Sequence, residues 1–570
     1  MIIDARQIED GLRLAADICI VGGGAAGIAL ALELSRRGFN TVLLEGGGLK
    51  TDPASQSLYA GENVGIGYDT PENSRSRFLG GSTNCWGGWC RPLDDLDFEA
   101  RDWVPNSGWP IRKRDLQPYF AGAGALLEIP DPDYSLAHWA PEIERLGAAL
   151  MPLADGDFVN ILNQLSPPTR MGRSFRDRLR AAPNLKTFLN ANVTHVATDA
   201  FGGEARGVEA MTLEGKRLSI EARVSVLSAG GIENARLLLL SNQIRPAGLG
   251  NGRDLVGRYY MDHPRIQSTR VRAPDAARYR PLYDALLHRI HRGHGSARTR
   301  LEIHLAPSAD AQRRLELPNS RTYLVGENAS GLTKSFFALK RVRRALSGRR
   351  RFGYPLSRMV HDVMREIPAL VLHAPRTAAA IGDALLSPYL AKTEFLLESV
   401  IEPVPNPDSR VTLSERRDQL GLNQVRIDWR LTEQDHDHLR RIDRLVVDVL
   451  RASGVATPAD RQTADAPAEI IGCWHHMGTT RMHEDPRRGV VDADCRVHDV
   501  KRLYIVGSSV FPTVGSDSPT INLVALALRL ADRITRDFEG GRYERQAPAP
   551  SELADAPLPA MAFVARPAAS

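Results

Sequence analysis

A chain of 570 residues, 43% hydrophobic and 25% charged, is long enough for two or more domains and has the composition of a soluble globular protein. A formal net charge of +5, from 73 basic and 68 acidic residues, is too small at this size to make nucleic acid the main partner. Cys19, Cys85, Cys90, Cys473 and Cys495 form neither a disulfide framework nor a paired zinc spacing, which favours a reducing compartment and gives no metal site.

The N-terminal MIIDARQIEDGL has no secretory-signal pattern. The apolar run from Ile18 to Leu32 is broken by glycines and bounded by Asp17 and Glu33, short of the roughly 20 residues a membrane helix needs. The expectation is a cytoplasmic protein with no transmembrane segment.

Asp17 to Val21 reads as a buried parallel strand. Gly22-Gly23-Gly24-Ala25-Ala26-Gly27 then supplies GxGxxG, a helix runs to Arg37 and stops at Gly38, and a second strand, Thr41 to Leu44, closes on Glu45. This is a βαβ dinucleotide unit. Gly22 makes the tight turn, Gly24 lets a pyrophosphate reach the backbone, and Gly27 brings helix and sheet together. Glu45 can accept from a ribose 2′-hydroxyl, which argues against a 2′-phosphate. The unit alone does not separate NAD from FAD.

Leu79-Gly80-Gly81-Ser82-Thr83-Asn84-Cys85-Trp86-Gly87-Gly88-Trp89-Cys90 can press its backbone against a flat ligand, or form a surface loop anchored by tryptophans. Strand-rich segments follow at 185–196 and 222–231, then a helix from Ile232 to Leu240. His263, in Met261-Asp262-His263-Pro264, reads as a structural turn histidine. Residues 265–395 give little beyond a strand-like piece at 299–305 and a basic cluster, Lys340, Arg341, Arg343, Arg344, Arg349, Arg350 and Arg351. That cluster reads as a solvated helix face, or as a site for an acidic or redox partner, an anionic membrane or a phosphorylated substrate. Thr432, with Asp435 three residues on, caps an amphipathic helix to about Ala452. A strand at 503–506 ends at Gly507-Ser508-Ser509. Ser518 as N-cap and Pro519 as first helical residue open a helix to about Asp537, apolar nearly all round and therefore buried. Residues 541–570 read as a disordered tail.

Cys473-Trp474-His475-His476-Met477-Gly478-Thr479-Thr480-Arg481-Met482 puts two histidines before a glycine turn, ahead of that strand and helix. Together with Gly507 to Thr513 and Ser518-Pro519-Thr520, it resembles the C-terminal signature of the glucose-methanol-choline (GMC) oxidoreductases. The GxGxxG unit, the Gly80-Gly81 loop, Ser228 to Glu233 and Met261 to Pro264 are similar to that family in the same order.

The resemblance implies an α/β, overall α+β, architecture: a Rossmann-like FAD domain with a parallel sheet, and a substrate domain with an antiparallel sheet and helices. The expected division is 1–110, 185–265 and 465–540 for FAD, and 111–184 and 266–464 for substrate. FAD contacts are expected from Gly22, Gly24, Ala25, Ala26, Gly27, Glu45, Gly80, Gly81, Ser82, Asn84, Cys85, Trp86, Val193, Ala229, Gly230, Glu233, Gly507, Ser508, Pro519 and Thr520.

The implied reaction is oxidation of an alcohol, with His475 taking the hydroxyl proton as the carbon delivers hydride to flavin N5. O2 or another acceptor would reoxidise the cofactor. Where the family carries a second His or Asn, this chain has Ser518, whose hydroxyl could still orient a substrate hydroxyl, with Asn522 or Asp517 as the other candidates for that role. Cys85 stands where some relatives attach FAD through histidine, and non-covalent FAD is expected. A flavin-containing lyase and a non-catalytic flavoprotein are the alternatives.

Overall fold

The computed structural model describes residues 1–66, 70–129, 131–154, 156–284, 300–326, 394–459 and 470–545, with isolated positions between 342 and 375. The basic cluster from Lys340 to Arg351 lies outside the described residues, as do 546–570.

Among the described residues two eight-stranded sheets carry the fold. In the first, the order is Ile2–Asp4, Leu185–Leu189, Thr41–Leu44, Leu12–Val21, Arg217–Leu227, Ala205–Met211 and Asn192–Thr198. Leu503–Ile505 also pairs with Arg217–Leu227, in parallel register with Leu227 opposite Ile505. The central strands, Ile18 to Val21 and Thr41 to Leu44, are buried throughout, as expected where both faces of a parallel sheet are covered. Their apolar runs therefore show no alternation. Helix Ala25–Arg36 packs on this sheet, and Gly38 ends it at φ 82°. The expected segment at 185–196 is two strands, separated at Asn190, whose φ is 57°.

The second sheet is antiparallel, in the order Thr457–Pro458, Pro264–Arg272, Glu394–Ile401, Ser320–Gly326, Arg300–Pro307, Phe158–Leu165 and Trp89–Cys90, with Ile471–Gly472 also on Pro264–Arg272. The stretch from 265 to 395, uninformative as sequence, thus supplies its middle strands. Phe158, Leu162, Ile303, Leu305, Leu324 and Leu397 on one face pack with Leu439, Ile442, Val446 and Leu450 of helix Glu433–Ala452. That helix starts at the expected capping box, Thr432 accepting from the Asp435 N–H and Asp435 from the Thr432 N–H.

Segment 111–184 is shared between the two cores. Phe158–Leu165 belongs to the second sheet, whereas Leu116, Phe120, Leu127, Met171 and Leu179 join the core of the first.

Helix Thr520–Glu539 corrects two expectations. Pro519 occupies its cap position, with no side-chain capping bond, so Ser518 is not the N-cap. Its burial is also not uniform: Ile521 to Ala527 are almost wholly enclosed, but Arg533 and Arg536 then turn outward, leaving Leu530, Ala531 and Ile534 on the packed face. Residues 541–545, expected to belong to a tail, include side chains packed on the fold. Tyr543 is buried, its hydroxyl 3.1 Å from that of Tyr504, and the Arg545 guanidinium lies 4.3 Å over the Phe39 ring.

Candidate active site

Segments 257–263 and 475–480 run side by side and fix the site. Met261 and Met477 exchange two backbone hydrogen bonds of 3.0 Å, and the Gly257 N–H donates to Thr479 O at 2.7 Å. Gly478, at φ 84°, permits this approach, because a Cβ there would meet Tyr259 O at 2.1 Å. The Asp262 carboxylate accepts from the backbone N–H groups of Cys473 (3.2 Å), Trp474 (2.9 Å) and His475 (2.9 Å). Trp474 is left-handed at φ 62°, a costly conformation that these three bonds hold in place.

The result is a histidine pair. His475 Nδ1 lies 2.9 Å from His263 Nδ1, and His263 Nε2 lies 2.9 Å from the carbonyl oxygen of Gly515. The rings meet edge to face at 87°. His476 points elsewhere, stacking on Tyr260 at a 6.1 Å centroid distance. His475 is held well below the usual histidine range by burial first, then by His263, Arg321, His476 and Arg265. Burial and Arg321 pull His263 down to about 4, and burial and Arg75 pull His476 down to about 3. All three are therefore neutral imidazoles at pH 7.

Beside the pair lies a wall built of glycines. A Cβ at Gly27 would strike Gly22 O at 1.9 Å, so the helix start and the strand end cannot separate to admit a larger residue. At Gly24, Gly230 and Gly507, by contrast, a Cβ would meet nothing within 4 Å: these three face open space. Gly24 caps helix Ala25–Arg36 with no side-chain bond, leaving the first-turn N–H groups, those of Ala25 and Ala26 among them, for an anion.

Gly81 leans on this turn, its position for a Cβ 3.0 Å from Gly24 Cα. Glu45 closes the adjacent strand, accepting from the N–H groups of Gly23 (2.9 Å) and Gly47 (2.8 Å). The Ser508 hydroxyl donates to His476 O at 2.7 Å, Thr479 donates to Gly231 O, and Asn234 bridges the Ala229 N–H and the Ser509 hydroxyl. These bonds bring Ala229, Gly230, Gly507 and Ser508 to one edge of the sheet, beside the histidine loop. Val193 and Glu233 line a small cavity with Arg77, Asn192 and Arg236. A backbone cradle, an uncapped helix start and a strand-end carboxylate fit the phosphates and ribose of a dinucleotide.

Several expected contacts are otherwise engaged. Asn522 Oδ1 accepts from the Leu93 N–H at 3.0 Å and its Nδ2 donates to Arg91 O at 3.3 Å, so its amide clamps the 91–93 backbone. Asp517 is bonded to Arg91 and Arg321, both at 2.9 Å. Glu233 is paired with Arg75 at 2.7 Å. Burial alone would raise its carboxyl, but Arg236 and Arg75 outweigh it and bring it down to about 2.

Asn84 donates to Leu79 O and Gly81 O, holding its own turn, and Trp86 donates to Thr169 O. Ser82 O accepts the exposed Cys85 thiol at 3.4 Å. Ser518 is buried next to Pro519 and Thr520, and its hydroxyl makes no bond to the described residues.

What sequence reasoning missed is His263 and one face of the antiparallel sheet. Residues opposite one another in the ladder share a face, and the register puts Arg265, Gln267, Glu398, Arg321, Tyr323, Glu302, His304 and Asn163 together. Glu302 accepts from Trp89 Nε1 at 2.7 Å and His304 Nε2 at 2.9 Å, and Gln267 donates to Glu398 at 2.6 Å. Cys473 packs on this face against Tyr323 and Val400, so the histidine loop borders it. The signal was the alternation in RLEIHLAP, where Glu302 and His304 interrupt Leu301, Ile303 and Leu305.

Sequence comparison matches residues 405–527 to the GMC oxidoreductase family and residues 17–281 to the FAD dependent oxidoreductases. The GMC match spans the His475 loop and the Ser518 helix start. Over that C-terminal span the chain is similar to the GMC oxidoreductases.

Relatives of this chain include a 6‴-hydroxyparomomycin C oxidase of Streptomyces lividus, 25% identical over 92% of each chain. A 2-methyl-1,2-propanediol dehydrogenase of Mycolicibacterium austroafricanum is 25% identical over 93% of this chain and 97% of that one. In fold, a formate oxidase of Aspergillus oryzae superposes with a TM-score of 0.55 at 18% identity, over 94% of this chain and 100% of that one. The chain is an FAD-dependent oxidoreductase, and among its described residues no helix is long and apolar enough to cross a membrane.

Proposed function

We infer that this enzyme oxidises a CH–OH group of a polar, hydroxylated small molecule, with His475 as general base. The observation that carries the reading is the position of a neutral, half-buried imidazole between an open glycine wall and a hydrogen-bonding sheet face. Bound FAD would take the hydride. Gly22, Gly24, Gly27, Gly81, Ala229, Gly230, Gly507 and Ser508 would hold it through backbone atoms, with Glu45 at the ribose.

An alcohol entering beside His475 loses its O–H proton to Nε2 as its C–H hydride leaves, and the C=O product forms. The polar face supplies donors and acceptors of both kinds, suited to a substrate with several hydroxyl or amino groups. Relatives named for an aminoglycoside and a diol agree with that class. Ser518, with an uncommitted hydroxyl in the loop that carries Gly515, is the candidate to orient the substrate oxygen.

Residues 1–110, 185–265 and 465–540 form the FAD-binding unit in this reading, with helix Gln117–Leu126 added to it. FAD is held non-covalently, and the unpaired cysteines suit a cytoplasmic location. O2 or another acceptor closes the cycle, and the basic cluster from Lys340 to Arg351 is where a redox protein would dock. Anaerobic titration of the holoenzyme with polyols, sugars and aminoglycosides is the test. Bleaching of the flavin bands by one of them supports the reading. A flavin that none of them reduces would favour a lyase on this scaffold. Yellow colour retained on the denatured chain would overturn non-covalent attachment.

A further inference from the structure

The Gly515 carbonyl decides the protonation of both histidines. A carbonyl oxygen only accepts, so the 2.9 Å contact requires the hydrogen on His263 Nε2. In a neutral ring Nδ1 then carries the lone pair, and the 2.9 Å contact between the two Nδ1 atoms requires the hydrogen on His475 Nδ1. The remaining His475 nitrogen, Nε2, is left as a free base. We propose that His263 is the positioning residue of this enzyme, fixing His475 in the Nδ1–H tautomer so that Nε2 faces the substrate unprotonated.

The surroundings favour a neutral His263. The groups facing the pair are Arg321 on Ser320–Gly326, Glu402 at the end of Glu394–Ile401, Asp517 in the 513–518 loop, Arg265 on the strand that follows His263, and His476 beside His475. Glu402 is bound by both terminal nitrogens of Arg101 at 2.8 Å, and Asp517 by Arg91 and Arg321, so each carboxylate already has its cation. A protonated His263 would reverse the pair, donating from Nδ1 and leaving His475 with its hydrogen on Nε2, useless as a base.

The anchor itself is rigid. Gly515 sits at φ 53°, a Cβ there would meet Asp97 Oδ2 at 2.7 Å, and its N–H donates to Glu402 at 3.2 Å. When His475 takes the alcohol proton, its Nδ1–H remains bonded to an uncharged acceptor. The pair thus does the orienting work of a histidine–carboxylate dyad without a carboxylate bonded to either imidazole.

This inference rests on His475 as base, and its test separates the two claims. In ¹⁵N-histidine NMR of the FAD-loaded enzyme at pH 7, His475 is expected to carry hydrogen on Nδ1 and a lone pair on Nε2, and His263 the reverse. Hydrogen on His475 Nε2 would overturn the proposal whatever the substrate. In anaerobic reduction, His263→Leu is expected to slow the reductive step roughly 10²- to 10³-fold with KM little changed. His263→Asn, whose amide oxygen can accept from Nδ1–H, should recover most of that loss. Wild-type reduction rates in His263→Leu would contradict the role. If that variant does not fold, the NMR assignment and His263→Asn still decide. Failure of every alcohol to reduce the wild-type flavin would sink the oxidation reading while the tautomer measurement stood.

Discussion

The two sheets present opposite kinds of surface. The parallel sheet presents backbone: glycines at 22, 24, 27, 230 and 507, an uncapped helix start and one strand-end carboxylate. The antiparallel sheet presents side chains, with Glu302, His304, Arg265, Arg321, Gln267 and Glu398 on a single buried face. A backbone cradle serves one cofactor and leaves little room for change, whereas a side-chain face can be re-specified residue by residue without disturbing the sheet. Substitutions in the first region should therefore show up as lost flavin, and those in the second as altered kinetics with flavin retained.

The largest effect is expected at the junction of the two. His475→Ala should lower the rate of anaerobic flavin reduction by roughly 10²- to 10⁴-fold at unchanged flavin content. Next is the ion pair that supports the Gly515 loop. Arg101 and Glu402 have fully buried side chains at 2.8 Å, so Glu402→Ala, which strands a buried guanidinium, should cost about 3–5 kcal/mol in denaturant unfolding.

A purely steric change in the cradle should rank third. Gly27→Ala sets a Cβ 1.9 Å from Gly22 O, and about 1–3 kcal/mol of overpacking should appear as a lower Tm and a reduced flavin-to-protein ratio. Normal flavin loading in that variant would break the contrast between the regions.

Acid sensitivity sharpens the same contrast. His263 and His438 are held at about 4 and His476 at about 3, against the ordinary histidine value of 6.5, chiefly by burial. Between pH 6.5 and these values the unfolded chain binds more protons than the folded one, so stability should fall as pH drops through that window. Glu233, lowered from 4.5 to about 2, adds a loss below pH 4.5. The histidine contribution should flatten in His476→Asn and His438→Gln, as urea titrations at several pH values would show.

The parallel sheet was legible because its signals are local. Strand, glycine turn, helix and Glu45 follow one another within a single unit, and the capping box at Thr432 is equally self-contained. The antiparallel sheet was hidden because its partners are distant in sequence: Arg300–Pro307 pairs with Phe158–Leu165, and Pro264–Arg272 with Glu394–Ile401. A buried polar face also weakens the hydrophobic pattern by which strands are recognised.

His475 was singled out by its motif, whereas His263 was read as a turn residue because the residues it contacts, Gly515 and His475, are distant in sequence. Ser518 was misjudged as a cap because Pro519 occupies that place. The clamp that Asn522 makes was not legible because its backbone partners, at 91 and 93, lie more than four hundred residues away.

The most direct measurement is stopped-flow anaerobic reduction of the purified holoenzyme by a polyhydroxylated alcohol, wild type beside His475→Ala. The account predicts saturable bleaching of the flavin in the wild type and a rate lower by roughly 10²-fold or more in the variant, with the same flavin content in both. Equal rates in the two proteins would contradict it.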